Sequence, residues 1–156
     1  MKFLKYFTFL SLEEIDAIAK EFAAAPEGRQ AQKALAKEVT TLVHGQAAYE
    51  QAVHISEALF NGNIKDLSAD EVAQGFKGVP NYQVQAEDDL NLVEILVTAG
   101  IESSKRQARE DIQNGAISVN GERRQDVAAS LTDADKLGGR YTVIRRGKKK
   151  YFLLVF

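Results

Sequence analysis

The apolar residues change their period part-way along the chain, and that change sets what the chain can fold into. Up to about residue 76 they recur at helical spacing. Ser11 with Glu14 has the form of a capping box, and Leu12, Ile15, Ala19 and Phe22 follow on one stripe before Pro26-Glu27-Gly28 interrupts it. A second stripe runs from about Arg29 through Ala34, Leu35, Val39, Leu42 and Val43 to Gly45, and a third places Ala48, Ala52, Ile55 and Leu59 before Asn61-Gly62-Asn63. Ser68 with Glu71 opens a fourth. Helices this short hold only by burying their stripes against one another, which predicts a small bundle.

From residue 90 the pattern differs. Leu90, Val93, Leu96 and Val97 predict a helix that Gly100 ends, and a second helix opens at Ser104, the expected cap, with Gln107 as its capping-box partner. After Gly115 the spacing is that of strands. AISV leads into the two-residue Asn120-Gly121 turn, and RYTVIRR, Gly147-Lys148 and KKYFLLVF read as a second hairpin. The expected fold class is therefore α+β: a small helical bundle followed by a small module of two helices packed on short antiparallel strands. Between them KGVPNYQVQAEDD, Lys77 to Asp89, holds Gly78, Pro80 and Asn81, ends in acids and has no helical period. It reads as a linker, which gives a helical domain at 1–76, a linker at 77–89 and an α+β domain at 90–156. Each part has its own apolar pattern, so residues 90–156 are expected to fold without 1–76.

Charge follows the same division. The formal net charge of -2 conceals 8 Lys+Arg against 13 Asp+Glu through residue 88, and 12 against 9 beyond it. The absence of cysteine excludes a disulfide framework, a thiolate zinc site and a cysteine nucleophile, and fits a reducing compartment such as the cytoplasm. MKFLKYFTFL superficially resembles a secretory signal, but Lys5 interrupts the apolar run and no small-residue cleavage site follows. No apolar run approaches the roughly 20 residues that span a bilayer. A soluble protein with no membrane partner is expected.

Two basic groups carry the functional reading. In a helix opening at Ser104, Lys105 and Arg109 share one face while Ala108 and Ile112 share another. Cations beside the exposed N–H groups of a helix start suit a phosphate; alternatively Lys105, Arg106 and Arg109 solvate the helix and pair with Glu102, Glu110 and Asp111. The second group, Arg145, Arg146, Lys148, Lys149 and Lys150, puts five mutually repelling cations into six residues around a hairpin turn. A turn that had only to be soluble would gain from mixed charges, so an anionic partner accounts for it better than solvation, protection of a sheet edge being the other account. Nucleic acid fits both groups.

Nothing indicates catalysis. His44 and His54 lack the spacing and partners of a metal site, Glu13-Glu14 and Asp88-Asp89 belong to a helix start and the linker, and nothing in the sequence marks a serine or threonine as an activated nucleophile. Tyr82, Tyr141, Tyr151 and Phe152 could stack bases, but aromatics in short strands more often fill the core.

The run from Leu92 to Gly121, with Leu96-Val97, Gly100, Ser104-Lys105, Ala108-Arg109, Ile112, Gly115, Val119 and Asn120-Gly121, resembles the RNA-binding module first described in ribosomal small-subunit protein four. FTFLSLEEI at 7–15, QKALAKEVTTLVHG at 32–45, EALFNG at 57–62 and RRGKKKYFLL at 145–154 are similar to the part of bacterial tyrosyl-tRNA synthetases that follows the catalytic domain. The resemblance covers essentially the whole chain. It implies a helical anticodon-binding domain and a terminal RNA-binding module that grip the anticodon arm and long variable arm of tyrosine tRNA. It implies RNA contacts at Ser104, Lys105, Arg109, Asn120, Gly121, Arg145, Arg146, Lys148 and Lys149. Arg106, Glu110 and Asp111 depart from the module's usual, more basic second helix. The family's His-Ile-Gly-His-like and Lys-Met-Ser-Lys-Ser motifs have no counterpart here, so the resemblance implies a carboxy-terminal fragment inactive alone and without cofactor. ATP and tyrosine would belong to the full-length ligase, a homodimer through its catalytic domain, and the fragment would be a monomer. A free-standing RNA-binding regulator and a protein-interaction adaptor with an acidic partner are the alternative readings.

Overall fold

The computed structural model describes residues 1–156 and divides the chain into two compact units, Met1–Val53 and His54–Phe156. The first unit holds α1 (Lys2–Phe7), α2 (Leu12–Ala24), α3 (Gln30–His44) and the start of α4 (Gln46–Asn61). The capping box at α2 forms as expected, with Glu14 N donating to Ser11 Oγ and Ser11 N to Glu14 Oε2 at 2.7 Å. α1 and α2 both pack on α3. Leu4 and Ile15 are the large side chains buried there, whereas Phe3, Tyr6, Phe7, Phe9, Leu12, Leu42 and Val43 stay exposed.

The second unit is built on a five-stranded sheet of order β1-β5-β4-β2-β3: β1 (Asn81–Gln83), β2 (Ile117–Val119), β3 (Glu122–Arg123), β4 (Tyr141–Arg146) and β5 (Lys150–Val155). The α+β class is as expected. The β2–β3 and β4–β5 hairpins turn at Asn120-Gly121 and after Gly147, with positive φ at all three residues. Strand alternation sends side chains to two faces. On one face α6 (Leu92–Thr98) and α7 (Lys105–Gln113) bury Ile95, Leu96, Ala108 and Ile112 against Ile117, Val119, Ile144 and Leu154. On the other, Ile55 and Ala58 of α4 and Val72 of α5 (Ala69–Gly75), with Ile64, Leu67 and Phe76, meet Tyr141, Val143 and Leu153. Each such fully buried aliphatic side chain contributes roughly 1.5–3 kcal/mol. The second capping box, at Ser68 and Glu71, also forms.

Two expectations about organisation are corrected here. Residues 77–89 are not a linker: β1 lies among them, paired in parallel with β5 in the register Asn81↔Leu153, and Val79, Tyr82 and Val84 pack on the two cores. Tyr82 Oη donates to Asp88 Oδ2 at 2.9 Å, which puts one of the terminal acids to structural use. The division also falls at residue 53 rather than 76, because the end of α4 and all of α5 form one layer over the sheet. The unit expected to fold alone therefore begins near residue 54. A start at residue 90 would strip β1 from the sheet edge and uncover Val143 and Leu153. No helix is long and apolar enough to cross a membrane.

Candidate nucleic-acid interface

α7 begins as the sequence indicated. Ser104 is extended, and its Oγ accepts from Gln107 N at 3.3 Å. The capping box stays incomplete, since the Gln107 amide donates instead to Asp111 Oδ1 at 3.0 Å. Lys105 is drawn into an ion pair with Glu94 of α6 at 2.8 Å, while Arg106 and Arg109 are exposed and pair with no carboxylate.

Asn120 and Gly121 are spent on the fold. Asn120 is buried, its Nδ2 donating to Asp135 O at 2.6 Å and its Oδ1 accepting from Val143 N at 2.8 Å, so it posts the turn against β4. A Cβ on Gly121 would lie 1.8 Å from Gly62 O, and its φ of +90° suits glycine alone. The turn thus seats itself on the loop that ends α4, where Lys65 also pairs with Glu122 at 2.6 Å.

The basic hairpin separates by strand alternation. Arg146 faces α6 and α7, where its Nε lies 2.8 Å from Glu102 Oε1 and 3.0 Å from Asp111 Oδ2, and its Nη1 donates to Ile101 O. The Nε–H is aimed at Asp111, which leaves both oxygens of the buried Glu102 without a hydrogen bond from a donor. Burial pushes the Glu102 carboxyl up to about 7, aided by a hydrogen bond shared with Asp111 and opposed by the charge of Arg146. For Asp111, burial also disfavours ionisation, but hydrogen bonds from Glu102, Gln107 and Arg146 outweigh it and hold the carboxyl below its usual range. Arg146 is therefore the bolt that fastens the hairpin to α7. It sets the turn residues Lys148 to Lys150 around an open hollow of about 450 Å³ that Asp111 also lines.

Arg145 faces the other way. It makes no ion pair, its Nη2 lies 3.4 Å from Ser118 Oγ, and its Nε is buried without a partner. Register aligns it across the sheet with Ser118 on β2 and Arg123 on β3. Neither Ser118 nor Arg123 was singled out from the sequence, although the alternation in Ile117-Ser118-Val119 and a two-residue turn pairing Ser118 with Arg123 contain the signal. Of the residues expected to meet RNA, Arg109, Arg145, Lys148 and Lys149 are thus free of carboxylates, Lys105 and Arg146 are paired, and Asn120 and Gly121 are structural. No group of acids, histidines and cysteines is placed to hold a metal ion.

The model of the tyrosine–tRNA ligase SYY-like C-terminal domain matches residues 71–154, and that of class I tRNA synthetases (W and Y) matches residues 1–61. The whole chain is 70% identical to tyrosine–tRNA ligase 2 of Enterococcus faecalis and covers 37% of it. It is 65% identical to the tyrosine–tRNA ligase of Streptococcus gordonii, again covering 37%. A solution structure of a tyrosyl-tRNA synthetase C-terminal domain is 63% identical over 60% of this chain and 93% of that one, at a TM-score of 0.49. The chain spans little more than a third of the length of the curated relatives it matches.

Proposed function

The chain belongs to the family of the tyrosine–tRNA ligase SYY-like C-terminal domain, and from that membership we propose that it is a tRNA-binding portion of such a ligase, gripping the anticodon arm and long variable arm of tyrosine tRNA. The observation that carries this reading is the distribution of unpaired charge. In the second unit Lys65, Lys105, Arg124, Lys136 and Arg146 each meet a carboxylate, whereas Arg106, Arg109, Arg123, Arg145 and Lys148 to Lys150, together with Lys77 and Arg140, do not. Cations left without counter-charges on a folded surface neutralise phosphates of a bound RNA, and the release of the counterions condensed on that RNA drives association. Chemistry on tyrosine and ATP belongs to the remainder of the full-length ligase, and this portion needs no cofactor to bind RNA. By itself the chain is a monomer, and the full-length ligase, a cytoplasmic enzyme, dimerises through its catalytic part.

A titration of the chain with tyrosine tRNA and with a tRNA lacking the long variable arm tests this. Preference for tyrosine tRNA is the expected result. Equal affinity for the two would favour a general RNA-binding regulator, and no affinity for either would favour an adaptor for an acidic protein.

A further inference from the structure

We propose that Arg123, Ser118, Arg145 and Lys148 form a pocket for one phosphodiester of the bound RNA, a site distinct from the surface of α7. The proposal rests on the RNA-binding reading above and adds two residues, Ser118 and Arg123, which that reading does not use.

The pocket follows from strand register. Ser118 pairs with Arg123 on one side and with Arg145 on the other, so the three side chains stand in one row on one face of the sheet. With strands roughly 4.8 Å apart, the two arginine Cα atoms lie about 10 Å from each other across the serine. Gly115 and Gly147 complete the lining and Lys148 closes the rim around a cavity of about 260 Å³. That volume would hold several waters at roughly 30 Å³ each, so a phosphate with its flanking ester oxygens fits.

Three independent features point to an anion. No carboxylate lines the cavity, and neither Arg123, Arg145 nor Lys148 forms an ion pair, although the adjacent Arg124 and Arg146 both do. Like charges set two strands apart on one face repel each other unless something neutralises them. The buried Arg145 Nε has no hydrogen-bond partner, which is uncommon for a charged donor, so the fold itself does not satisfy this guanidinium in full. Finally, the buried Ser118 hydroxyl accepts from Arg145 and keeps its own proton to donate. Arg123 is held ready from outside: its Cδ lies 2.7 Å from where a Cβ on Gly115 would stand, so the missing side chain there is what lets the arginine stem lie across the turn. The neighbouring cavity of about 440 Å³ also includes Arg145, but Asp66 and Glu122 line it and make it a poorer host for phosphate.

The test compares the full chain with Arg123→Gln, whose exposed position on a short edge strand carries no core packing. Tyrosine tRNA is titrated at several salt concentrations. Loss of one phosphate contact should flatten the slope of log affinity against log salt by about 0.7–0.9, which narrows the gap between wild type and variant by about threefold from 50 to 200 mM salt. Ser118→Ala should weaken binding while leaving the slope unchanged, since a hydroxyl releases no counterion. The Arg145 Nε–H resonance should shift when the tRNA is added and stay in place with inorganic phosphate alone. An Arg123→Gln slope equal to wild type, with tRNA binding intact, would overturn the pocket and leave the broader function standing. A resonance that responds to inorganic phosphate and not to tRNA would reassign the site to free phosphate and overturn it equally. Wild type that binds no tRNA would remove the functional reading, and the pocket with it.

Discussion

In an Arg146→Ala variant the buried Glu102 carboxylate loses its only ion-pair partner, Asp111 loses a hydrogen bond at 3.0 Å, and the carbonyl of Ile101 loses a donor. Removing one member of a buried charge cluster costs about 3–5 kcal/mol. The lower end applies here, because the Arg146 side chain is 31% exposed and Glu102, already pushed up to about 7, can take up a proton when its cation goes. A loss of about 3 kcal/mol corresponds to a drop of about 1.5 M in the urea midpoint for a slope near 2 kcal/mol/M. The drop should be larger near pH 8, where the orphaned carboxylate has to ionise, than near pH 6. Urea unfolding followed by circular dichroism at both pH values measures it. The salt slope of RNA binding, taken where the variant is folded, should match wild type. A variant as stable as wild type with a slope flattened by about 0.7–0.9 would show that Arg146 meets phosphate, and would refute its assignment as a bolt between hairpin and helix.

Further expectations follow from the same contacts. Glu102 has its folded pKa raised from 4.5 to about 7, so its contribution to stability is full below about pH 4.5 and is lost as pH rises through 7; between pH 8 and about pH 5, Glu102→Gln should remove about 2–3 kcal/mol of that dependence in paired urea titrations. His54, held above its usual range by a hydrogen bond to Glu71, adds a dependence of the same sign, which the comparison with Glu102→Gln cancels. Gly121→Ala must relieve a Cβ 1.8 Å from Gly62 O at a φ of +90° and should cost at least about 2 kcal/mol, read as a lowered thermal midpoint; an unchanged midpoint would mean that the turn does not seat on the α4 loop. A chain beginning at residue 54 should unfold cooperatively, whereas one beginning at residue 90 should not, and equal cooperativity in the two would contradict the role given to β1 and α5.

Local chemistry was legible from the residues alone. The capping boxes at Ser11 and Ser68, the glycine exit at Gly100, the Asn120-Gly121 turn and both hairpins depend on neighbours a few residues apart, and all of them form. β1 was not legible, because three residues around Tyr82 become a strand only by pairing with Leu153 to Val155, about seventy positions away. Membership of α5 in the sheet unit was hidden for the same reason: Val72 and Phe76 show an apolar stripe but not the surface it meets. The candidate interface was half legible. Five cations around one turn mark the hairpin, while strand alternation, which sends Arg145 and Arg146 to opposite faces, decides which of them a carboxylate meets. Glu102 looked like a solvating partner for α7 and is instead buried beneath Arg146, a contact forty-four residues long in sequence that no periodicity encodes.

The claim that unpaired cations on the second unit meet phosphate is tested most directly at the hairpin tip. Lys148 and Lys149 are exposed, bury little and take part in no ion pair, so replacing both by alanine should leave the unfolding transition unchanged. The affinity for tyrosine tRNA should fall, and the slope of log affinity against log salt should flatten by about one to two units, at roughly 0.7–0.9 per lost contact. Identical slopes and affinities for wild type and the double variant would contradict the account at its centre.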